Sequence, residues 1–328
     1  MTEPITAVAI RTYLACPRRY DLRHRQGLAD RQSPEATRLE LCRTAITEAM
    51  QQGGDPAGLV ERGETALERE WADHDEQFHA RAQRDHSRRV LAAGIKAHLE
   101  STGADHLSGL EALLDAGVSR QALVGPDLSL SGSVAGTPVS APVDYITADG
   151  RAVIAVRVID TPTRLGAIRF ERDWEDLIEP TVSGHFDPAD PTHDVPTVGT
   201  LLETAVVLAG LRTWCADHEL EDRLCRYCCV PVLTPWQREI NWRRNTVTST
   251  VSPVDCTESY IEEQALARTL EHRNDEIEAH LERIVGQISA GNFDPTDRWS
   301  TIESAECPGC PVAVGCQDAI AEEVRYDG

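Results

Sequence analysis

With 328 residues, 41% of them hydrophobic, the chain is long enough to bury one large core or two smaller ones. Its 54 Asp plus Glu stand against 32 Lys plus Arg for a net charge of −22, and Lys96 is the only lysine. At ordinary salt that balance excludes long-range attraction to nucleic acid. At molar salt, where charges are screened within about 3 Å, it marks a halophilic setting and leaves any phosphate contact to close arginine forks. The start "MTEPITAVAI" has no basic segment ahead of an apolar one, and no apolar run reads as a bilayer span, so a cytoplasmic protein without a membrane partner is expected.

Residues 1 to about 120 carry apolar positions at helical spacing with charges on the outer face, which predicts a helical region. From "LSLSGSVAGTPVSAPVDYITADGRAVIAVRVIDT" the period changes to two. Turn signals at Gly136-Thr137 and Asp149-Gly150 divide that stretch into three predicted strands, the last apolar enough to be buried on both faces. A proline-rich loop is expected over about 176–196, followed by a buried helix in "TVGTLLETAVVLAGLRTWCADHEL". Strands are predicted in "CCVPVLTP" and "REINWRRNTVTSTVS", then a long helix over roughly 257–290, then a cysteine tail with a short closing helix. The whole reads as one α/β domain: helices over 1–120, a sheet core with an inserted helix over 121–255, and a long helix with the tail over 256–328.

Ten cysteines point to metal or catalysis rather than disulfides in an intracellular chain. Cys307, Cys310 and Cys316 are spaced x2 and x5, and clusters or soft ions take four thiolates, so a fourth is needed. Cys16, in "YLACPRRYDLRH", is the best candidate. Zinc is the second occupant to consider, although structural zinc sites show two C-x2-4-C knuckles, and the third is no metal at all. The rival set Cys225, Cys228 and Cys229, with Cys215 upstream, places adjacent residues on opposite faces of a strand, which favours structural thiols.

A lone cysteine followed by Pro17, Arg18, Arg19 and Tyr20, with the C-x2-C-x5-C tail approached by Phe293 and Pro295, resembles the iron–sulfur branch of the RecB-like PD-(D/E)XK nuclease superfamily. The AddB nuclease domain and the CRISPR-associated RecB-like exonucleases belong to that branch. The resemblance, with its haloarchaeal-type composition, implies a restriction-endonuclease-like core, a small mixed sheet flanked by helices. It also implies a 4Fe–4S cluster on Cys16, Cys307, Cys310 and Cys316 that clips the two ends of the chain together.

In that superfamily one strand ends in an aspartate and the next carries (Asp/Glu)-x-Lys, together holding Mg2+ or Mn2+. The aspartate is matched by Asp144, but the second motif reads Ala155-Val156-Arg157. Alanine ligates nothing and arginine is a poor proton-transfer group. Asp160 falls on the opposite strand face, and Glu203 on the following helix is the better candidate for a migrated ligand. The early-helix histidine of the branch has no match in "RLELCRTAITEAM".

The resemblance therefore implies a DNA-binding protein of repair or recombination with a degraded catalytic centre. Single-stranded DNA is the expected partner, alongside a helicase or another subunit of a repair complex. Arg18, Arg19, Arg23 and Arg25 beside Cys16, and Arg243 and Arg244 beside Trp236 and Trp242, are the expected DNA contacts, against a reading in which they pair with the many carboxylates. Two alternatives stand beside it: a metal-dependent single-stranded DNA exonuclease with migrated acids, and a zinc or structural-cysteine protein unrelated to nucleic acid.

Overall fold

In the computed structural model of the protein, residues 3–28, 33–125, 127–162, 178–261 and 274–323 are described. The chain enters on a short strand, β1 (Ile5–Thr6), and Thr6 caps helix α1 (Ala7–Ala15) by accepting a hydrogen bond from the Ala9 amide at 3.1 Å. Cys16 interrupts the helix in an extended conformation, and Pro17 then starts α2 (Pro17–Tyr20) at the position where a missing amide hydrogen costs nothing. The Cys16 sulfur accepts from the Arg19 amide at 3.4 Å, so the proline after the cysteine parks the thiol at a helix start.

Four longer helices follow: α3 (Pro34–Gln52), α4 (Leu59–Ala72), α5 (Arg81–His98) and α6 (Ala104–Asp115). Helix α4 packs against α3 and α5, and their buried faces carry Ile46, Met50, Leu67 and Ile95. The expected helical region is present, with β1 added. Helix α6 lies directly on the sheet because Gly109 lets it: a Cβ there would sit 1.9 Å from the Ala148 carbonyl oxygen.

The stretch expected to hold three strands holds four: β2 (Ser129–Val134), β3 (Thr137–Pro142), β4 (Tyr145–Asp149) and β5 (Ala152–Ile159). The two expected turns are there, with Ala135 and Gly136 at φ 48° and 80° and Gly150 at φ 55°. The missed break falls at Val143-Asp144, after Pro142, which has no amide hydrogen to offer a ladder. There the chain leaves one sheet, ordered β1-β3-β2, and enters a second.

The second sheet runs β4-β5-β6-β9, with β6 (Leu224–Pro231) parallel to β5 and β9 (Val254–Asp255) antiparallel to β6. The crossover from β5 to β6 includes α7 (Glu179–Phe186) and α8 (Val195–Asp217). Helix α7 occupies part of the segment expected to be loop, since Pro180 lies in its first turn and starts the helix rather than breaking it. Helix α8 is, against expectation, long and apolar enough to cross a membrane by length and composition, at a mean hydropathy of 1.3. Its apolar surface is spent inside the protein instead: 78% of that window is buried, against β2, β3, β6 and α1. Fully burying one such Leu or Val contributes about 1.5–3 kcal/mol, so this helix is a main source of core stability.

The predicted helix over 257–290 is two helices among the described residues. Helix α9 (Cys256–Tyr260) ends early, and α10 (Asp275–Ala290) starts afresh with Asn274 accepting from the Ile277 amide at 2.9 Å; residues 262–273 lie outside the described residues. A separate hairpin, β7 (Arg238–Asn241) and β8 (Thr246–Ser249), packs on α5. Helices α11 (Trp299–Glu306) and α12 (Gln317–Glu323) bracket the cysteine tail. The architecture is mixed α/β, with one continuous core joining both sheets to the helices.

Candidate functional site

The two ends of the chain meet. The Tyr13 hydroxyl donates to the Asn292 carbonyl at 2.8 Å, and Tyr20 stacks on Phe293 with ring centroids 5.4 Å apart. Beyond them the tail winds through short turns, with the Cys310 amide bonded to the Cys307 carbonyl at 3.1 Å and the Cys316 amide to the Ala313 carbonyl at 3.0 Å. This coil faces the α1–α2 junction, and Cys16, Cys307, Cys310 and Cys316 line one small cavity together with Arg19 and Glu306. Leu22, Val312 and Cys316 form its apolar floor, a cluster separate from the main core.

Charged pairs close the rim. Arg18 Nε meets Asp318 Oδ2 at 2.7 Å, Arg19 Nη1 meets Glu306 Oε2 at 3.2 Å, and His193 Nε2 meets Glu306 Oε1 at 3.2 Å. Burial pushes the Cys16 thiol up to about 11, with Cys316 and Cys307 adding to the rise. Burial, then the neighbouring Cys310 and Cys316, pushes Cys307 up as well. Thiols that raise one another in an apolar cavity resist ionisation until a cation is present, and a bound cation deprotonates them outright.

The donor set is four sulfurs, yet among the described residues no three His, Cys, Asp or Glu side chains come together as a group able to hold a single metal ion. A tetrahedral zinc with bonds of about 2.3 Å draws its sulfurs to within about 4 Å of one another. The four sulfurs share the lining of one cavity without forming such a group among the described residues. Arg19 Nε, buried at this cavity, has no hydrogen-bond partner among the described residues, which fits an anionic thiolate-held group beside it.

The acid site is of another kind. Asp144, only 5% exposed, sits at the switch between the two sheets. Its Oδ2 accepts from the Val158 amide at 2.6 Å, while Oδ1 lies 3.2 Å from Arg157 Nη1 and 3.7 Å from Arg43 Nε. Arg43 reaches in from α3 and is held by the Val158 carbonyl at 2.9 Å and 3.0 Å. Burial raises the Asp144 carboxyl, and the guanidiniums of Arg157 and Arg43 pull it back. Both carboxylate oxygens are thus spent on cations and backbone, so a divalent metal would have to displace an arginine. The residues here do not fit Mg2+ or Mn2+.

Glu203 is joined to β6 through Tyr227. Its Oε1 accepts from the Tyr227 hydroxyl at 2.6 Å, and Tyr227 lies beside Ala155 in the β5–β6 register. Asp160, past the end of β5, accepts from its neighbour Thr161 at 2.7 Å and has no part in the Asp144 cluster, as strand alternation requires.

A polar network behind β4 escaped the sequence reading. The Tyr145 hydroxyl lies 3.0 Å from His98 Nε2 and 2.7 Å from His106 Nδ1, with Thr102 Oγ1 3.1 Å from His98 Nδ1. Burial holds His98 at about 3 and His106 at about 4, so both rings are neutral. Two histidines eight positions apart, at the end of α5 and the start of α6, were the available signal. Cys215 and Cys225, whose sulfurs lie 3.8 Å apart, are buried structural thiols together with Cys229 and Cys256, and Cys228 is partly buried.

The six arginines divide. Arg18 and Arg19 are engaged with Asp318 and Glu306, Arg25 pairs with Asp21 at 3.4 Å and stands over Phe293, and Arg23 also has an interaction partner. Arg243 and Arg244 are exposed at the tip of the β7–β8 hairpin, where no carboxylate pairs with either among the described residues. Comparisons of the chain with family models, with curated proteins and with solved structures return no match.

Proposed function

We propose that the protein is a non-cleaving iron–sulfur relative of the RecB-like PD-(D/E)XK nucleases that binds single-stranded DNA as a subunit in repair or recombination. The observation that carries this reading is the meeting of Cys16 with Cys307, Cys310 and Cys316 around one cavity, from opposite ends of the chain. When bound there, a 4Fe–4S cluster would supply a covalent clip. Cys16 is set for it by the α1–α2 junction, and the other three by the turns between α11 and α12.

Two features of the sheet support the same kinship. An antiparallel β4–β5 pair is followed by a helical crossover to a parallel β6, and Arg157, in the place of the motif lysine, touches Asp144. The Asp144–Arg157–Arg43 cluster has the form of a catalytic centre turned into an internal ion-pair lock, which is why no cleavage is expected.

The test is one anaerobic preparation in molar KCl. Iron and acid-labile sulfide near four each per chain, with broad visible absorption, are expected, and both fall away in Cys316→Ser together with a lower melting temperature. A variant with normal iron content refutes the ligand assignment. No magnesium- or manganese-dependent degradation of single-stranded DNA is expected; cleavage that Asp144→Ala abolishes would replace this reading with that of an active exonuclease.

A further inference from the structure

We propose that the β7–β8 hairpin, with the face of α5 on which it lies, is a stacking platform for single-stranded nucleic acid. The proposal deepens the function proposed above by placing its nucleic-acid contact, and rests on that reading for the choice of partner. The arginines beside Cys16 are occupied by carboxylates, so the contact is sought elsewhere.

Trp242 is 72% exposed and Trp236 71%, the two most exposed aromatic side chains among the described residues. Trp242 is also held in place: its ring stacks on His86 of α5, with centroids 5.3 Å apart and planes 24° from parallel. Arg89 of α5 hydrogen-bonds Asn245 at the hairpin tip, and Asn241 Oδ1 accepts from the Arg244 amide at 3.1 Å. A ring fixed before binding loses little conformational entropy when a base stacks on it.

The charge pattern selects the partner. In a chain where carboxylates far outnumber cations, Arg243 and Arg244 are left without one, next to the exposed indole. Arg81, at the start of α5, is also exposed and approaches Asp85 only at 4.0 Å. In the hairpin Glu239 pairs with Thr248 and Asn241 with Thr246 on one side, and Ile240 pairs with Val247 on the other, so the polar side offers no apolar strip for a partner helix. Glu239 repels phosphate at one end and the arginines attract it at the other, which sets a strand across the tip. An aromatic face beside unpaired guanidiniums matches a base and its phosphates.

The experiment uses the full chain, with fluorescence anisotropy of a labelled oligothymidylate titrated from low to molar KCl. Wild type is expected to bind with a shallow salt dependence. Trp242→Ala is expected to weaken binding about ten-fold, with Trp242→Phe recovering most of it. Arg243→Ala with Arg244→Ala is expected to lower the slope of log K against log salt by about 1. All these side chains are exposed, so melting temperatures should not move. Affinities unchanged in both variants, or no binding by wild type even at low salt, overturn the proposal. A loss accompanied by dissociation of a self-assembled form in light scattering assigns the face to a second copy of the chain and also overturns it. Iron content in the same samples reports on the cluster separately, so failure of one reading is not mistaken for failure of the other.

Discussion

Asp144 shows how little a residue's type fixes its role. Its match to the strand-ending aspartate of the nuclease motif reads as a metal ligand; its surroundings make it the counter-ion of Arg157 and Arg43. Removing one member of a buried ion cluster leaves the others uncompensated, which costs far more than the cluster contributes net. Asp144→Ala is therefore expected to lower stability by about 3 kcal/mol, read from urea unfolding in high salt, because Arg157 loses its carboxylate at 3.2 Å and Arg43 keeps only the more exposed Glu40 at 3.5 Å among the described ion pairs. Replacing Asp144→Leu and Arg157→Met together is expected to restore about half of that loss. If Asp144→Ala unfolds like wild type, the lock assignment is wrong.

At the scale of elements, the described glycine that leaves least room for a side chain is Gly109, where α6 lies on β4. Gly109→Ala would drive a methyl into the Ala148 carbonyl and within 2.5 Å of Thr147 Oγ1, which itself donates to the His106 carbonyl at 2.6 Å. Backbone cannot yield as a flexible side chain does, so a loss of about 3 kcal/mol is expected, with α6 lifted from the sheet. Retention of wild-type stability would show that the helix slides freely. What the sequence disclosed at this scale was whatever is written locally: the 3.6 and 2 periods, the glycine turns, the buried crossover helix, and the cysteine spacing. What it hid depends on distant partners. Arg43 is more than a hundred positions from Asp144 along the chain, and nothing near either one announces the other. The sheet switch at Val143-Asp144 was hidden because strand-like composition continues across it. Helix α7 was hidden because a proline in the first turn of a helix looks, in sequence, like a proline in a loop.

At the scale of the whole molecule, the buried neutral histidines set a pH limit. Burial holds His98 at about 3 and His106 at about 4; for His185 burial, with Arg298 next in weight, holds the ring at about 3, and for His280 burial, then Arg283, holds it at about 4. In the unfolded chain each titrates near 6.5. Between those values the unfolded state binds protons that the folded state refuses, so stability falls as pH drops below about 6.5 and the loss ends only near the folded values. Each ring contributes up to about 1.4 kcal/mol per pH unit, and the four together up to about 5.5. Carboxylates in general titrate near 4 and add little above pH 5, the raised Asp144 carboxyl works against the slope, and molar KCl removes the opposing relief of acidic repulsion. Urea midpoints between pH 7 and 5 should therefore decline steadily. His106→Asn, which keeps a polar group facing Tyr145, is expected to take about one quarter from the slope while lowering stability at pH 7. A slope identical to wild type in that variant would mean that His106 is protonated in the fold, and that the Tyr145 network is held together by charge rather than by neutral hydrogen bonds.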